Sequence, residues 1–301
     1  DGWEIAGSRL VLHVLSDVRS HLVVHGLDGA LEGEIELPGR GSVSSFDAEL
    51  ESGRVLFDFS SYVHAPSVRL WTPPRRRARR SGAGAATLGA PTTVAEVDVP
   101  ADLSALEVSQ DSVASADGTP INVYWVHRRD LVRDGNAPVL LNAYGGFNIS
   151  LLPGFQRNPL YWVDRGGIFA VANLRGGGEN GEDWHRGGAM ENKAHVFEDM
   201  EAVIRWLGGA SGLSRPDRIA ITGGSNGGLL MGAMLTRGPA AFAAAASYVG
   251  LYDMIRYHRF PPAELWVTEY GSSEDATQFG WLSGYSPYHH VRAPTEPGRY
   301  P

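Results

Sequence analysis

The sequence contains no cysteine, and this absence excludes several kinds of site. Without thiols, the chain has no disulfide framework, no cysteine nucleophile and no thiolate metal centre. It also lacks any run of about 18 apolar residues, so it predicts no transmembrane helix. The first residues, Asp1-Gly2-Trp3, offer neither an initiator methionine nor signal-peptide features, which indicates a chain cut from something longer. These absences leave the compartment open; we take the cytoplasm as the working expectation, with periplasm and secretion as alternatives.

Positive charge is scarce as well. The chain carries 26 Lys and Arg against 34 Asp and Glu, a net charge of -8, which argues against a nucleic-acid-binding protein. Lys193 is the only lysine, and we interpret the bias toward arginine as codon usage rather than chemistry. The one strongly basic stretch, residues 75–80, opens a segment rich in Gly, Ala and Pro. We interpret it as a solvated linker in preference to a nucleic-acid or targeting patch.

Length and patterning predict two domains, residues 1–98 and residues 99–301. The first contains short runs of strand-forming residues separated by Gly and Pro turns, which is typical of β-propeller blades or of a sandwich. Two blades would fill this length but cannot close a ring, so the domain is either a sandwich or a partial β-propeller with its linker. The predicted strands span residues 9–15, 21–25, 33–37, 44–49, 54–59 and 68–71.

The second domain shows strands that alternate with helices, which predicts an α/β sheet. In such sheets the chemistry lies at the carboxyl ends of the strands, where Tyr144, Arg175 and Ser225 fall. The predicted elements are a hairpin over residues 106–127, strands at 139–144, 168–174, 218–222 and 243–249, and helices at 191–207 and 229–235.

The segment around Ser225 carries the clearest catalytic pattern. A short strand is followed by Gly223-Gly224-Ser225-Asn226-Gly227 and then by an apolar helical pattern. A strand, a sharp turn with a central serine and a helix together form the nucleophile elbow of an α/β-hydrolase. Glycines flank the serine because a Cβ there would collide with the neighbouring strand or helix.

Two other motifs are weaker. Residues 176–181 match the dinucleotide fingerprint, but the next predicted helix begins only near residue 191, so phosphates would not meet a helix N-terminus. We therefore interpret this stretch as a glycine-rich active-site loop. The histidines at 258, 289 and 290 lack a second ligand pair at a metal-binding spacing, so we expect no metal and no cofactor.

Five segments together resemble the prolyl oligopeptidase family of serine peptidases. Their order and spacing agree with that family over residues 100–301, and the strands before them resemble its β-propeller. The asparagine after Ser225 and the segment at Trp266 resemble the prolyl branch rather than relatives that cut after basic residues. The resemblance implies an α/β-hydrolase domain, lacking its last strands, preceded by a partial β-propeller. The matching segments are residues 144–148, 170–179, 223–230, 266–271 and 285–287.

The resemblance also implies roles for seven residues. Ser225 would be the nucleophile, and the backbone N–H of Asn226 and the hydroxyl of Tyr144 would form the oxyanion hole. In the family, the propeller admits short peptides and excludes folded proteins, so the implied partners are short proline-containing peptides. From the charge and the lack of a long apolar run we expect no nucleic-acid or membrane partner, and we expect a monomer if the protein is full length. The implied proline pocket is formed by Trp266, which would stack on the ring, and by Phe147, Tyr270 and Leu251.

The sequence departs from the family pattern after residue 287. Family members place the triad aspartate and histidine beyond this point, after two further strands, and we find neither in this chain. Asp253 and Asp275 follow the serine, but neither forms a strand-end pair with a histidine at the expected order and distance. Ser225 therefore has no assigned general base, and loss of a triad member lowers the rate by orders of magnitude. The basic run also falls where the last blade should finish, so the sequence does not place that blade's closing strand.

Three functions stay open on these grounds. The first is a serine endopeptidase that hydrolyses short peptides on the carboxyl side of proline through an acyl-enzyme, with little or no activity expected from these residues alone. The second is an esterase or aminopeptidase of the same fold. The third is a non-catalytic peptide-binding protein that keeps the Trp266 pocket.

Overall fold

The computed structural model describes residues 2–74 and 86–293, so the basic run at residues 75–80 lies outside the described residues. The chain divides into two compact units. The first runs up to Val108 and includes Leu152–Arg157, and the second contains Ser109–Leu151 and the chain from Asn158 onward. Each unit has its own hydrophobic core.

The first unit contains two four-stranded antiparallel sheets in which each strand pairs with the one before it. Sequential antiparallel strands of this kind form the blades of a propeller, so the blade interpretation is confirmed. The first sheet contains β1 (Gly2–Ala6), β2 (Arg9–Ser16), β3 (Arg19–Gly26) and β4 (Leu31–Ile35). The second contains β5 (Ser42–Ala48), β6 (Val55–Ser61), β7 (His64–Trp71) and β8 (Thr92–Glu96).

Strands β1 and β8 were not predicted from the sequence. Strand β8 pairs with β7, with Val68 opposite Ala95, and so supplies the closing strand of the second sheet. All five of its residues are exposed, and it therefore lacks the alternation of apolar and polar residues by which a half-buried strand is recognised. The core between the two sheets is formed by alternating side chains that include Val11, Leu22, Val24, Phe57, Phe59 and Trp71.

The second unit is built on a six-stranded mixed sheet, as expected for an α/β-hydrolase. Its strand order is β14-β13-β11-β12-β10-β9. The central strands β13, β11 and β12 run parallel, as do β13 and β14, whereas β10 runs antiparallel to β12. The strands are β9 (Leu106–Ala114), β10 (Pro120–Arg128), β11 (Val139–Ala143), β12 (Ile168–Asn173), β13 (Ile219–Gly224) and β14 (Ala244–Tyr248).

Seven α-helices accompany this sheet within the described residues. The longest are α3 (Ala194–Arg205) and α4 (Asn226–Arg237). The others are α1 (Arg157–Asp164), α2 (Glu182–Arg186), α5 (Val267–Tyr270), α6 (Ala276–Tyr285) and α7 (Pro287–His290). Short 3₁₀ turns span Leu103–Ala105, Met190–Asn192, Pro216–Arg218, Pro239–Ala241, Tyr257–Arg259 and Ala263–Trp266, and a π-helical turn spans Trp206–Ala210.

The helix predicted over residues 191–207 divides into three pieces in the structure. It opens as the 3₁₀ turn Met190–Asn192, continues as α3 and ends as the π-helical turn. Its apolar face is buried in the core of the second unit through Val196, Phe197, Met200, Val203 and Ile204. Because α3 packs against the sheet along this face, it fixes the residues just before it, including Lys193, beneath the carboxyl edge of the strands.

Candidate active site

Ser225 lies in a strained turn between β13 and α4. Its backbone has φ 56° and ψ -116°, a conformation that non-glycine residues rarely adopt. The Ser225 N–H donates to Tyr248 O at 2.9 Å, and the Ser225 carbonyl accepts from the Leu229 N–H at 3.0 Å. The backbone is therefore held from both sides while the side chain is left partly exposed, as a nucleophile requires.

The glycines around Ser225 differ in whether the structure has room for a Cβ at their positions. A Cβ on Gly223 would lie 2.6 Å from Gly227 O, and one on Gly227 would lie 2.7 Å from Ala143 O. A Cβ on Gly228 would lie 2.6 Å from the Cα of Gly250. Each clash is with backbone, which cannot move aside. Gly224 is different, since its nearest contact would be at 3.6 Å, an ordinary van der Waals distance.

Tyr144 directly follows β11, and its side chain is partly buried. Burial raises the pKa of Tyr144, while the Ser225 side chain acts in the opposite direction. The phenol therefore keeps its proton at neutral pH and can donate to a developing oxyanion. Its role as an oxyanion donor stays a prediction.

Asn226 is the first residue of α4 and is 1% exposed. A backbone N–H at this position has no carbonyl partner within its own helix, so it is available to a ligand. The side chain is fully engaged: Nδ2 donates to Tyr144 O at 2.6 Å, and Oδ1 accepts from the Tyr270 hydroxyl at 2.9 Å. The two predicted oxyanion-hole residues are therefore joined to each other directly.

Three aromatic side chains form a cluster beside this turn. Phe147 meets Trp266 edge to face with ring centroids 6.4 Å apart, and it meets Tyr270 in the same way at 5.5 Å. Tyr270 is fully buried, whereas Phe147 and Trp266 are only partly buried and keep surface free for a ligand. Leu251 is also partly buried against this core, and its contact with a substrate stays a prediction.

A buried polar cluster beneath the site was not found from the sequence. Lys193 is 1% exposed and Glu269 is 3% exposed, and Nζ lies 3.9 Å from Oε1. Glu269 Oε2 also lies 2.8 Å from His185 Nε2. Burial lowers the pKa of Lys193 to about 8, against the opposing effect of Glu269. The sequence does mark Lys193 as unusual, because it is the only lysine. Our interpretation of the arginine bias as codon usage does not identify its structural position.

The glycine-rich stretch at residues 176–181 packs against the loop that follows Tyr144. The Asn148 N–H donates to Gly176 O at 3.1 Å, and a Cβ on Gly178 would lie 2.5 Å from Asn148 O. Contrary to the expectation that no helix begins before residue 191, α2 opens directly after this stretch, at Glu182. Its first turn carries Glu182 and Asp183, whose negative charges would repel a phosphate.

Arg175, which the sequence placed at a strand end near the chemistry, has a structural role. Its guanidinium pairs with Asp199 at 2.6 Å and with Asp117 at 2.6 Å. Asp199 is fully buried and also accepts from the Ser115 hydroxyl at 2.5 Å. This network ties the β9–β10 hairpin and the end of β12 to α3.

No histidine is bonded to the Ser225 hydroxyl within residues 2–74 and 86–293. His289 Nδ1 lies 2.8 Å from Ser286 Oγ and 4.0 Å from Asp253 Oδ1, and Asp253 is also paired with Arg256. Over the same residues, no group of three His, Asp or Glu side chains could hold a metal ion. None of the helices described is long and apolar enough to cross a membrane.

The comparison with known proteins agrees with this geometry. The model of the prolyl oligopeptidase family matches residues 153–299. The chain is 34% identical over 282 residues to a prolyl endopeptidase from Elizabethkingia miricola, a match that covers 93% of this chain and 38% of that protein. The chain belongs to the prolyl oligopeptidase family.

Solved structures place this member of the prolyl oligopeptidase family in the same fold. A solved prolyl endopeptidase matches with 38% identity and a TM-score of 0.86, over 100% of this chain and 42% of that one. Prolyl oligopeptidase B from Galerina marginata matches with 27% identity and a TM-score of 0.83, over 97% of this chain and 40% of that one. The Galerina protein has also been solved bound to a 35mer hydrolysis and macrocyclization substrate. The chain thus spans about two fifths of the length of the relatives it matches.

Proposed function

We propose that this chain supplies the nucleophile, the oxyanion hole and the proline pocket of a serine endopeptidase that cleaves short peptides on the carboxyl side of proline. The observation that carries the proposal is the strained turn that holds Ser225 at the start of α4, where the neighbouring Asn226 side chain donates to Tyr144 O at 2.6 Å beside an aromatic cluster. Family membership supports the same reaction class.

The chemistry assigned to these residues is acyl transfer. Ser225 Oγ attacks the carbonyl carbon of the proline residue, and the bond to the leaving amine breaks to give an acyl-enzyme while the hydroxyl proton passes to that amine. Water then hydrolyses the acyl-enzyme, which releases the peptide acid and returns a proton to Ser225 Oγ. As the carbonyl oxygen gains negative charge, the Asn226 N–H and the Tyr144 hydroxyl donate to it. We assign no general base among residues 2–74 and 86–293, so these residues alone are expected to be weakly active or inactive.

The aromatic cluster accounts for the proposed preference for proline. A proline side chain is a rigid apolar ring, and the exposed surfaces of Trp266 and Phe147 would contact it without ordering a flexible side chain. Shape alone discriminates by about 1–3 kcal/mol for a difference of one methylene group. The preference for proline over alanine is therefore expected to be strong but not absolute.

The test compares two blocked dipeptide p-nitroanilides, glycyl-proline and glycyl-alanine, with the protein expressed from its own gene. We expect faster turnover of the proline substrate and its loss in Ser225→Ala. Ser283→Ala is a matched control because Ser283 lies on α6 and donates only to Gly280 O. Equal turnover of both anilides, with faster turnover of a p-nitrophenyl ester, would instead favour an esterase, whereas an aminopeptidase would cleave only the unblocked substrates.

A non-catalytic peptide-binding protein is the second candidate. It is favoured by one observation: no histidine is bonded to the Ser225 hydroxyl within residues 2–74 and 86–293. Labelling with a fluorophosphonate separates the two candidates, because only an activated serine reacts with it. Absence of labelling at Ser225, together with saturable binding of a proline peptide, would support the binding protein.

A further inference from the structure

Lys193 occupies a position that costs the fold free energy. A charged ammonium group transferred from water to a protein interior loses several kcal/mol of solvation, and Lys193 is almost completely buried. Its Nζ donates to Gly145 O and to Asn226 Oδ1, both at 2.9 Å. Both acceptors adjoin the candidate oxyanion hole, since Gly145 follows Tyr144 directly and Asn226 supplies the N–H.

Glu269 makes comparable buried hydrogen bonds beside the aromatic pocket. Its Oε1 accepts from the Phe147 N–H at 2.9 Å, and its Oε2 lies 2.8 Å from His185 Nε2. The Phe147 backbone has φ 57°, which is unfavourable for an aromatic residue. The carboxylate thus stabilises a backbone conformation of Phe147 that is otherwise unfavourable.

The Asn226 side chain links these two halves. Its Oδ1 accepts from Lys193 and from the Tyr270 hydroxyl, and its Nδ2 donates to Tyr144 O. A Cβ on Gly146 would lie 2.5 Å from Nδ2, so the backbone of the loop rests directly on the amide. A shift of Lys193 would therefore be transmitted to the oxyanion hole through Asn226 and to the pocket through Tyr270.

We propose that Lys193 and Glu269 are positioning residues that hold the oxyanion hole and the aromatic pocket in one fixed arrangement, Lys193 acting through Asn226 and Gly145, and Glu269 acting through Phe147. This inference rests on the proposed function of the same site. Neither residue touches the substrate. Together they ensure that a proline ring seated in the pocket places its carbonyl oxygen against both donors.

The two residues are expected to affect different kinetic constants. Lys193→Met removes the ammonium donor to Asn226 Oδ1 and Gly145 O and leaves Oδ1 with the Tyr270 hydroxyl alone. We therefore expect kcat for the proline anilide to fall by about 100-fold, the order expected for a displacement near 1 Å, with KM little changed. Glu269→Ala removes the acceptor for Phe147, so KM should rise and the proline-to-alanine ratio should fall by about tenfold. Glu269→Gln retains an acceptor for Phe147 and should preserve KM.

The double variant Lys193→Met/Glu269→Gln distinguishes a positioning role of Lys193 from a purely structural one. Removing both charges relieves the uncompensated carboxylate that Lys193→Met leaves behind, so the double variant should regain thermal stability. If positioning is the role, kcat stays low in the double variant although stability returns. Recovery of kcat together with stability would overturn the inference. Arg237→Met, which removes a partly exposed pair with Glu201, is the control for loss of a basic residue and should leave kcat unchanged.

A crystal structure of Lys193→Met tests the inference separately from the proposed function. We expect the Asn226 amide and residues 144–147 to shift by about 1 Å or to become poorly ordered. If the wild-type protein does not turn over the proline anilide, the proposed function fails while this structural comparison still decides the positioning role. An unchanged loop and amide in the variant would refute the positioning role, even if turnover of the proline anilide is established.

Discussion

At the scale of single residues, Tyr144 is the group whose contribution can be isolated most cleanly. Its hydroxyl is the proposed oxyanion donor, while its backbone carbonyl accepts from the Asn226 side-chain amide. Phenylalanine would keep the ring and the carbonyl and remove only the hydroxyl. The effect of that one oxygen can therefore be measured without disturbing the turn around Ser225.

We expect Tyr144→Phe to lower kcat for the proline anilide by about 100- to 1,000-fold, because one oxyanion donor is lost, and to leave KM nearly unchanged. Steady-state kinetics give both constants. Tyr161→Phe is the control, since Tyr161 is 65% exposed on α1. A rise in KM without a fall in kcat would mean that Tyr144 binds substrate and does not stabilise the transition state.

Trp266 is expected to set the preference for proline. Trp266→Ala should reduce the ratio of kcat/KM for the proline and alanine anilides by about 10- to 200-fold, the range for 1–3 kcal/mol of lost contact. Leu265→Ala, next to it and 71% exposed, should leave the ratio unchanged. If Trp266→Ala lowers turnover of both anilides equally, the indole does not discriminate.

The titration of Lys193 predicts how stability depends on pH. Its pKa is about 8 in the folded protein and about 10.4 in an unfolded chain. Between these values the unfolded state binds more protons, so the stability of the wild type should rise with pH relative to Lys193→Met, by up to about 1.4 kcal/mol per pH unit. Below pH 8 the difference between the two proteins should be constant. Urea unfolding at several pH values measures the difference in unfolding free energy between the two proteins. A difference that does not change from pH 8 to 10 would contradict a free-energy cost of burying the Lys193 ammonium group.

At the scale of elements, the turn between β13 and α4 depends on backbone contacts that only glycine permits. Gly227→Ala would place a Cβ 2.7 Å from Ala143 O in the neighbouring strand β11. We expect it to destabilise the protein by about 1–3 kcal/mol, as overpacking does, and to slow labelling of Ser225 by a fluorophosphonate. Gly224→Ala is the matched control, because its Cβ would meet only ordinary contacts. Equal effects of the two variants would show that the turn can yield.

The Arg175 network makes a second prediction at this scale. Arg175→Met would leave Asp199 fully buried without a counter-charge and should destabilise the protein by about 3–5 kcal/mol. Arg215→Met removes a comparable pair with Asp217, but that pair is exposed and should contribute less than about 1 kcal/mol. Chemical denaturation of both variants measures the contrast. A small effect of Arg175→Met would mean that Asp199 becomes protonated or solvated.

What the sequence predicts at this scale depends on how local the signal is. The turn at Ser225 was predictable because strand, glycines and helix are consecutive and each has a steric requirement. The closing strand β8 was not, because none of its residues is buried and its partner β7 lies on the far side of residues 75–85. The Lys193–Glu269 pair was also not predictable, because the two residues are 76 positions apart in the chain and meet only through folding. The position of Glu269 within the Trp266–Tyr270 segment gave no sign of burial.

At the scale of the whole molecule, the single lysine provides a probe of opening in the second unit. Lys193 is 1% exposed, so its amine can be acetylated only when the structure around it opens. We expect acetylation at Lys193 to be slow in native buffer and to accelerate through the unfolding transition, as followed by mass spectrometry of the peptide that contains it. Rapid acetylation far below the transition would reveal local opening at the site.

The strained backbone of Ser225 also has a consequence for how such a protein could change over generations. Holding a non-glycine residue at φ 56° costs on the order of 1–3 kcal/mol, and glycine would adopt the same conformation freely. A mutation of Ser225 to glycine would therefore abolish the chemistry and strengthen the fold in one step. Where selection no longer maintains catalysis, this one substitution would therefore yield a more stable protein that binds peptides without cleaving them.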